Sequence, residues 1–401
     1  MKKTSIITLI LLTLLSCQND KLKFRPIDFN TDYQFNEQIF SKIEDDTTGQ
    51  EIERLATEFS LKGDYSIAQR LFDSIFKSKN KITTSKSRDS LRGLYKKVSA
   101  KNYILDISKQ NSLIIINEAH HVPYHRIFTK SLLAGLYENG YKHLGLEALD
   151  RFDTLINNRG YPIKKSGYYT KEPEFGNMIR TAIDIGFNVF GYEDWDEARK
   201  GPEFREIAQA KNIKKVIDAN PNDKILIHCG YLHASEGEND FWKKAMALRL
   251  SELTHIDPLT IDQTKYIENF DQQSNNIFLN SFEFTEPTIL LDANKKPLPY
   301  IRDKDKMDLV VFHPITQIDN LRPNWKFKKR KQIQLDISNL EIEYPIMVFA
   351  FNKNDDINNA TPIDILELNK NTNPKLALVK GDYQIVITNG KKSFAVNQIV
   401  E

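Results

Sequence analysis

Apolar residues fall in two rhythms along this chain. From Leu113 onward, short unbroken runs alternate with longer stretches whose apolar residues recur every third or fourth position. The runs predict strands at Leu113 to Asn117, Lys142 to Glu147, Phe187 to Tyr192, Lys224 to Cys229, Ile256 to Ile261 and Leu309 to His313. Between them the spacing predicts helices over 124–139, 174–184, 202–219 and 240–253. A run that is apolar at every position is a strand buried on both faces. Its alternation with helices predicts βαβ units, right-handed crossovers and a mostly parallel sheet flanked by helices, an α/β fold. Two irregular stretches, Asp150 to Pro173 and Asp262 to Asp308, interrupt the alternation, and insertions of that kind in a compact unit form lids or substrate loops.

The pattern differs on both sides of this core. From Tyr33 the spacing is helical: Ile52, Leu55, Ala56 and Phe59 share one face, and after Gly63-Asp64 the residues Ile67, Ala68, Leu71, Phe72 and Ile75 repeat it. The stretch F-S-L-K-G-D-Y-S-I-A-Q-R-L-F resembles one tetratricopeptide-type hairpin. A binding solenoid needs about three such repeats, so a single one is expected to act as a helical cap. After Trp325, short strands at Gln332 to Ile337, Ile346 to Phe351, Asp364 to Leu368 and Asp382 to Ile387 are separated by Asn, Asp, Gly and Pro turns, which predicts a small β-sandwich. That segment holds no histidine or cysteine, and its expected role is packing or interaction.

The start of the chain changes the picture of where the protein works. Lys2 and Lys3 precede the apolar run Ile6 to Leu15, and L-L-S-C follows, ending at Cys17. This is the form of a secretory leader, too short to span a bilayer, and its end resembles the lipobox of bacterial lipoproteins, in which the cysteine carries lipid. The expected organisation is a leader at 1–17, a polar tether at 18–32, a helical cap at 33–108, the α/β unit at 109–322 and the β-sandwich at 325–401. The expected location is the bacterial cell envelope, facing the periplasm or the surface, with the membrane as a partner through Cys17.

Composition narrows the function further. Besides Cys17 the only cysteine is Cys229, so no internal disulfide is available once Cys17 is lipidated, and packing must hold the chain together. The formal net charge is +2 and the lysines are spread, which removes the basic patch that nucleic acid would require. A small-molecule substrate or ligand remains.

Candidate chemistry gathers at the ends of the predicted strands. Glu118, His120 and His121 follow the first, Glu147 the second, Glu193 and Asp194 the third, His228 and His233 the fourth, and His313 the last. In a parallel sheet these tips lie along one edge, where ligands bind. A carboxylate fixes the tautomer of an imidazole and raises its basicity, and neutral imidazoles with carboxylates can instead hold a divalent metal. His121 and His125 are four apart, but Pro123 fits a first helical position, which places His121 before the helix. Cys229 reads as a packed residue of an apolar strand, His143 and His255 lie at strand starts, and His313 is a minor candidate. No H-E-x-x-H, G-x-S-x-G, phosphate loop or dinucleotide fingerprint is present, which excludes those routes to hydrolase, kinase and nicotinamide chemistry.

The segments N-E-A-H-H, L-G-L-E-A, R-E-I-A-Q-A-K-N-I and I-L-I-H-C-G-Y-L-H, spread between Asn111 and Ile318, together resemble the superfamily of erythromycin esterase-like hydrolases and ChaN-type haem-binding lipoproteins. In the esterases a G-E-x-x-H element supplies a histidine base, which falls on His121, and a second strand ends in the glutamate that falls on Glu147. ChaN-type sequences place that histidine at His120 and close with G-x-x-H, matching Gly230 to His233. The resemblance also marks Arg205. The chain departs at Asn117, where a glycine is usual, and at Gly230, where the esterases have a histidine and His228 is a nearby substitute; the haem tyrosine of ChaN-type proteins has no counterpart. The resemblance implies a hydrolase of an ester or amide, with Glu118, His120, His121, Glu147 and His233 as catalytic candidates and His228, Glu193 and Arg205 beside them. Its alternative is a haem- or metal-binding lipoprotein without turnover. The first needs no cofactor, and the second uses haem or a divalent metal.

Overall fold

The computed structural model describes residues 22–43, 48–75, 85–302, 305–372 and 375–401. The leader and Cys17 lie outside the described residues. Two helices, α1 (Gly49–Leu61) and α2 (Tyr65–Ile75), form a hairpin whose apolar faces, with Leu55, Phe59 and Ala68, pack on Ile39. Thr48 caps α1 by accepting from the Glu51 N–H. Gly63 turns the hairpin with φ +89, and a Cβ there would lie 2.7 Å from the Ile365 carbonyl oxygen. Glycine is required at that contact.

Six parallel strands form the central sheet: β1 (Leu113–Glu118), β2 (Tyr141–Leu146), β3 (Asn188–Gly191), β4 (Lys224–Gly230), β5 (Leu259–Asp262) and β6 (Leu309–Val310). Their spatial order is β6-β5-β1-β4-β2-β3. Ile114 and Ile116 face helices α3 (Pro123–Glu138) and α4 (Pro173–Ile185), while Leu113 and Ile115 face α5 (Pro202–Ala219) and α6 (Met246–Thr254). Both faces of the sheet are covered, which is what the unbroken apolar runs demand. Because β4 returns between β1 and β2, Gly230 pairs with Glu118 on one side and His228 with Leu146 on the other. The tips carrying Glu118, Glu147 and His233 are therefore neighbours.

The C-terminal part is antiparallel: β7 (Ile346–Asn352), β8 (Asp364–Leu368), β9 (Gly381–Thr388) and β10 (Ser393–Val400). One face, with Val348, Ala350 and Ile385, packs on the pair Lys331–Ile333 and Leu376–Leu378. The other, with Met347, Phe349 and Val386, packs on Phe29, Tyr33 and Tyr161.

Three expectations are corrected. The stretch expected as a tether is not free over residues 22–32: Arg25 and Pro26 pair with Ala395 and Phe394, and Leu22, Phe24 and Phe29 pack on the C-terminal cores. The apolar residues scattered in a polar stretch cover the edge of β10. The boundary expected between the α/β unit and the sandwich, at 322–325, carries buried side chains that tie the two parts together. Arg322 Nη2 donates to both oxygens of Asp364, and Lys326, fully buried, bonds Glu174 on α4 at 2.8 Å and contacts Asp364 at 2.9 Å. The irregular stretch after Asp262 contains a strand, Thr288–Leu291, paired antiparallel with Lys96–Ser99, which joins that N-terminal segment to the main body.

Candidate functional site

The carboxyl edge of the sheet opens into a cleft of about 770 Å³. Glu118, buried at the tip of β1, accepts two hydrogen bonds from the fully buried Arg126, Nε to Oε2 and Nη2 to Oε1, each 2.6 Å. Arg126 reaches it from the first turns of α3, which Pro123 opens, and its Nη1 donates to Glu172 at 3.1 Å while Nη2 also donates to the His120 carbonyl. Glu172 caps α4 through the Phe175 N–H and accepts from the Tyr65 hydroxyl at 2.9 Å. Burial opposes charge on Glu118, but the Arg126 guanidinium, with His228 and His120, holds its carboxyl well below the usual range.

His120 completes this half of the site. Its Nδ1 lies 3.1 Å from Glu118 Oε1, a carboxylate acceptor, so Nδ1 carries the proton and Nε2 is the basic nitrogen. The ring stacks on Tyr169 at 3.9 Å and meets Tyr231 edge-on. Beneath it lies Gly230, where a Cβ would come within 2.5 Å of His120 Cε1 and 2.7 Å of Nε2. A side chain at position 230 would displace the imidazole. With 16% of its side chain exposed, His120 is the opened histidine of the group.

The second half is built on Glu147. It accepts from the Gly230 N–H at 2.6 Å and from Arg205 Nη2 at 2.7 Å, and His233 Nε2 lies 3.4 Å away. Arg205, from α5, also donates to Glu193 at the end of β3, which accepts from Gln209 as well. Burial opposes charge on Glu147, but His233, Arg205, His120 and the Gly230 N–H lower its pKa. His233 arrives through a left-handed residue, Tyr231 with φ 39, and a short 3-10 turn over Tyr231–Ala234. Its Nδ1 lies 2.9 Å from Glu206, whose carboxylate also accepts from the N–H of Met246 at the start of α6. Burial opposes protonation of His233, but Glu147 and Glu206 prevail and raise its pKa. Trp242 stacks on the ring at 4.8 Å.

The sequence-derived candidates thus divide. Glu118, His120, Glu147, His228, Glu193, Arg205 and His233 all line the cleft. His228 sits fully buried behind Glu118, 3.5 Å from Oε2, with burial lowering its pKa to about 4. His121 is the exception and is corrected: it turns away from the cleft, stacks on Phe72 at 3.6 Å and lines a separate cavity with His125 and His313. Cys229 is buried on the opposite face of the sheet, where burial pushes its thiol up, and it packs in the core. Arg126, Glu172, Glu206 and Tyr169 were not among the sequence candidates. Neither were the hairpin residues Glu53 and Arg54, which also line the cleft.

Among the described residues no group of three or more His, Cys, Asp or Glu is arranged to hold a metal ion. The cause is visible in the donor set: Glu118, Glu147 and Glu193 each already accept from a guanidinium. Arg126 serves Glu118 and Glu172, and Arg205 serves Glu147 and Glu193, so these carboxylate oxygens are turned toward hydrogen-bond donors.

No protein-family model matches the chain, and no curated protein matches it. Among solved structures it is similar to the type III effector HopBA1, at 14% identity and TM-score 0.31 over 44% of this chain and 91% of that one. It is similar to RRSP, a MARTX toxin effector domain from Vibrio vulnificus CMCP6, at 14% identity and TM-score 0.31 over 57% of this chain and 45% of that one. A structure of bacterial protein toxins matches at 13% identity and TM-score 0.29, over 54% of this chain and 46% of that one. The chain spans less than half the length of the last two.

Proposed function

We propose that the cleft hydrolyses an ester or amide, with His120 as general base. The observation that carries this reading is the Glu118–His120 contact at 3.1 Å, which fixes the tautomer and leaves the basic Nε2 over Gly230 at the floor of an open cleft. His120 Nε2 takes a proton from water as the water oxygen bonds to the carbonyl carbon. The tetrahedral oxyanion then collapses and the C–O or C–N bond breaks. His233, whose two carboxylate neighbours favour its protonated form, steadies the oxyanion or returns a proton to the leaving group. Glu118 acts by orienting His120, and Arg126 keeps Glu118 ionised. The alternative of binding without turnover divides: a divalent metal draws less support because guanidinium groups occupy the carboxylates that would serve as ligands, and haem keeps His120 as its candidate ligand.

Substrate enters beneath α1, which contributes Gln50, Glu53, Arg54 and Thr57 to the cleft. We read the hairpin as a cap on the α/β unit, the C-terminal sheets as a small sandwich and the chain as an envelope lipoprotein anchored through Cys17. One acyl chain holds a protein at a bilayer only marginally, so anchoring requires the several chains of a lipoprotein cysteine. Cys17→Ala should then move the protein from the membrane pellet to the soluble fraction. For the chemistry, a panel of activated esters and amides should reveal turnover that His120→Ala abolishes in a protein free of colour and metal. A Soret band, or a stoichiometric metal, with no turnover in the panel would replace the hydrolase with the binding protein.

A further inference from the structure

Among the described residues four side chains that line the cleft carry a hydroxyl, and three of these are committed. Tyr168 donates to Glu58 at 2.8 Å, Tyr231 to Glu53 at 3.4 Å, and Thr57 to the Glu53 carbonyl at 3.0 Å. The fourth, Tyr169, is half-buried; its hydroxyl has no partner among the described residues and keeps accessible surface. The Gly230 N–H at the cleft floor is taken too, since it donates to Glu147. Each nitrogen of His233 already faces a carboxylate, Glu206 at 2.9 Å and Glu147 at 3.4 Å.

The Tyr169 ring is held in place before any substrate arrives. It stacks on His120 at 3.9 Å and 17°, and Tyr168 meets it edge-on at 5.1 Å. It opens a short 3-10 turn, Tyr169–Lys171, whose Thr170 is buried: Thr170 Oγ1 donates to the Gly167 carbonyl at 2.9 Å, and the Thr170 carbonyl accepts from Thr361 Oγ1 at 3.0 Å. A ring stacked on an imidazole carries its hydroxyl beside that imidazole. Burial, with Glu147, Glu118 and Glu53 near it, raises the Tyr169 pKa, so the hydroxyl keeps its proton and remains a donor around neutral pH.

We infer that the Tyr169 hydroxyl binds the carbonyl oxygen of the substrate and stabilises the oxyanion, an assignment that rests on the hydrolytic reading with His120 as base. As the water oxygen bonds to the carbonyl carbon and its proton passes to His120 Nε2, the carbonyl π pair moves onto oxygen, which accepts from the Tyr169 O–H. The Tyr169 proton is not transferred. When the pair returns and the C–O or C–N bond breaks, His233 gives its proton to the leaving oxygen or nitrogen. His120 then releases a proton to solvent and His233 takes one up. A donor already aimed at the developing charge needs no reorganisation during the reaction. Tyr169 is thus a catalytic residue, and His233 is left with the single task of general acid.

The test compares Tyr169→Phe, Tyr169→Ala, His233→Gln and His120→Ala on esters that the chain turns over, with leaving groups graded from an activated phenol to a simple alcohol. Because the hydroxyl has no partner, Tyr169→Phe breaks no contact within the protein, and its thermal unfolding midpoint should match that of the parent. Removing one oxyanion donor lowers kcat by ~10² to 10³. Tyr169→Phe should show that loss by the same factor across the series, with KM within about threefold, because the oxyanion is the same whatever leaves. In His233→Gln the loss should instead grow as the leaving group becomes poorer, since the proton it supplies matters more there. If Tyr169→Phe stays within about threefold of the parent in kcat while Tyr169→Ala and His120→Ala are inactive, the ring only positions His120; that overturns this inference and leaves the base in place. A Tyr169→Phe loss that grows with poorer leaving groups makes the hydroxyl a general acid and likewise overturns it. Turnover that survives in His120→Ala, or no turnover by the parent on any ester or amide of the panel, overturns the hydrolytic reading and this inference together.

Discussion

His120 and His121 share a peptide bond and face opposite chemistry. The cleft that holds His120 is a site of compensated charge, where Glu118, Glu147, Glu193 and Glu206 are each met by a guanidinium, an imidazole or a backbone N–H. The cavity that holds His121 has aromatic walls and, among the described residues, one carboxyl; its basic neighbours, such as Lys328 over Tyr124 and Arg70 over Phe270, lie against the rings. His120 is the opened one, but exposure alone does not separate the two sides, since His228 and His233 of the cleft are about as deeply buried as His121. The number of carboxylate partners does: His233, between Glu147 and Glu206, is raised above its ordinary pKa, His228, whose one carboxylate is shared with Arg126, falls to about 4, and His121 and His313 fall to about 3. A buried imidazole is a base, an acid or an inert acceptor according to what stands beside it, and position along the chain has little to say about which.

The sharpest way to break the comparison is to remove one histidine at a time. A positioned base contributes ~10² to 10⁴ in rate, so His120→Ala should lose that much turnover on any substrate found. His121→Ala should stay within about tenfold, its loss being one of packing. Equal effects from the two would place the base elsewhere. The next effect tests the compensated charge directly. Arg126→Met strands Glu118 and Glu172 in a buried site, and breaking a buried pair costs about 3 to 5 kcal/mol. Urea unfolding reads this, and a cost under about 1 kcal/mol would mean that the carboxylates are held some other way.

Gly230→Ala sharpens the same contrast, since its Cβ would meet the His120 ring at 2.5 Å while touching nothing of the cavity. Misplacing a catalytic group by about 1 Å can cost on the order of 10² in rate; full activity in this variant would show that His120 has slack. A separate effect is on stability against pH. His121 and His313 have folded values depressed to about 3. Their contribution is complete above the ordinary histidine value near 6.5 and falls away as pH drops toward 3, at roughly 1.4 kcal/mol per pH unit for each. His233 has the opposite sign: its raised value means stability that is complete below about 6.5 and lost as pH rises through the folded value. Replacing His121 and His313 with leucine should flatten the acid limb between about 6.5 and 4, and His233→Gln should leave that limb intact. Urea midpoints across this range settle it, and an unchanged acid limb in the leucine variant would refute the assignment.

The parallel sheet was legible because strands buried on both faces have nowhere to place a polar residue until they end. The same reasoning found Glu118, Glu147, Glu193 and His233. His120 and His121 stood undivided in sequence, because what separates them is a turn closed by the Val122 N–H on the Ala119 carbonyl, with the two histidines as its central residues, and no pattern of residue types announces it. Arg126, Glu172 and Glu206 were hidden for another reason. Each is a charged residue on or beside a helix, where charge normally means water, and only the return of β4 between β1 and β2 and the folding of the stretch after Asp150 turn them inward. The buried junction at Lys326 escaped for the same cause, since one lysine in a polar segment gives no sign that Glu174 and Asp364 wait on either side of it.

Arg25 and Pro26 lie beside Ala395 and Phe394, and the Gly63 turn rests on the Ile365 carbonyl. The roof of the cleft is therefore seated on strands that leave the ribosome, or cross a membrane, more than three hundred positions later in the chain. Contacts so distant along the chain are slow to form. The six parallel strands can pair among themselves before that, and the hairpin over the cleft gains its seat only when the last strands are in place.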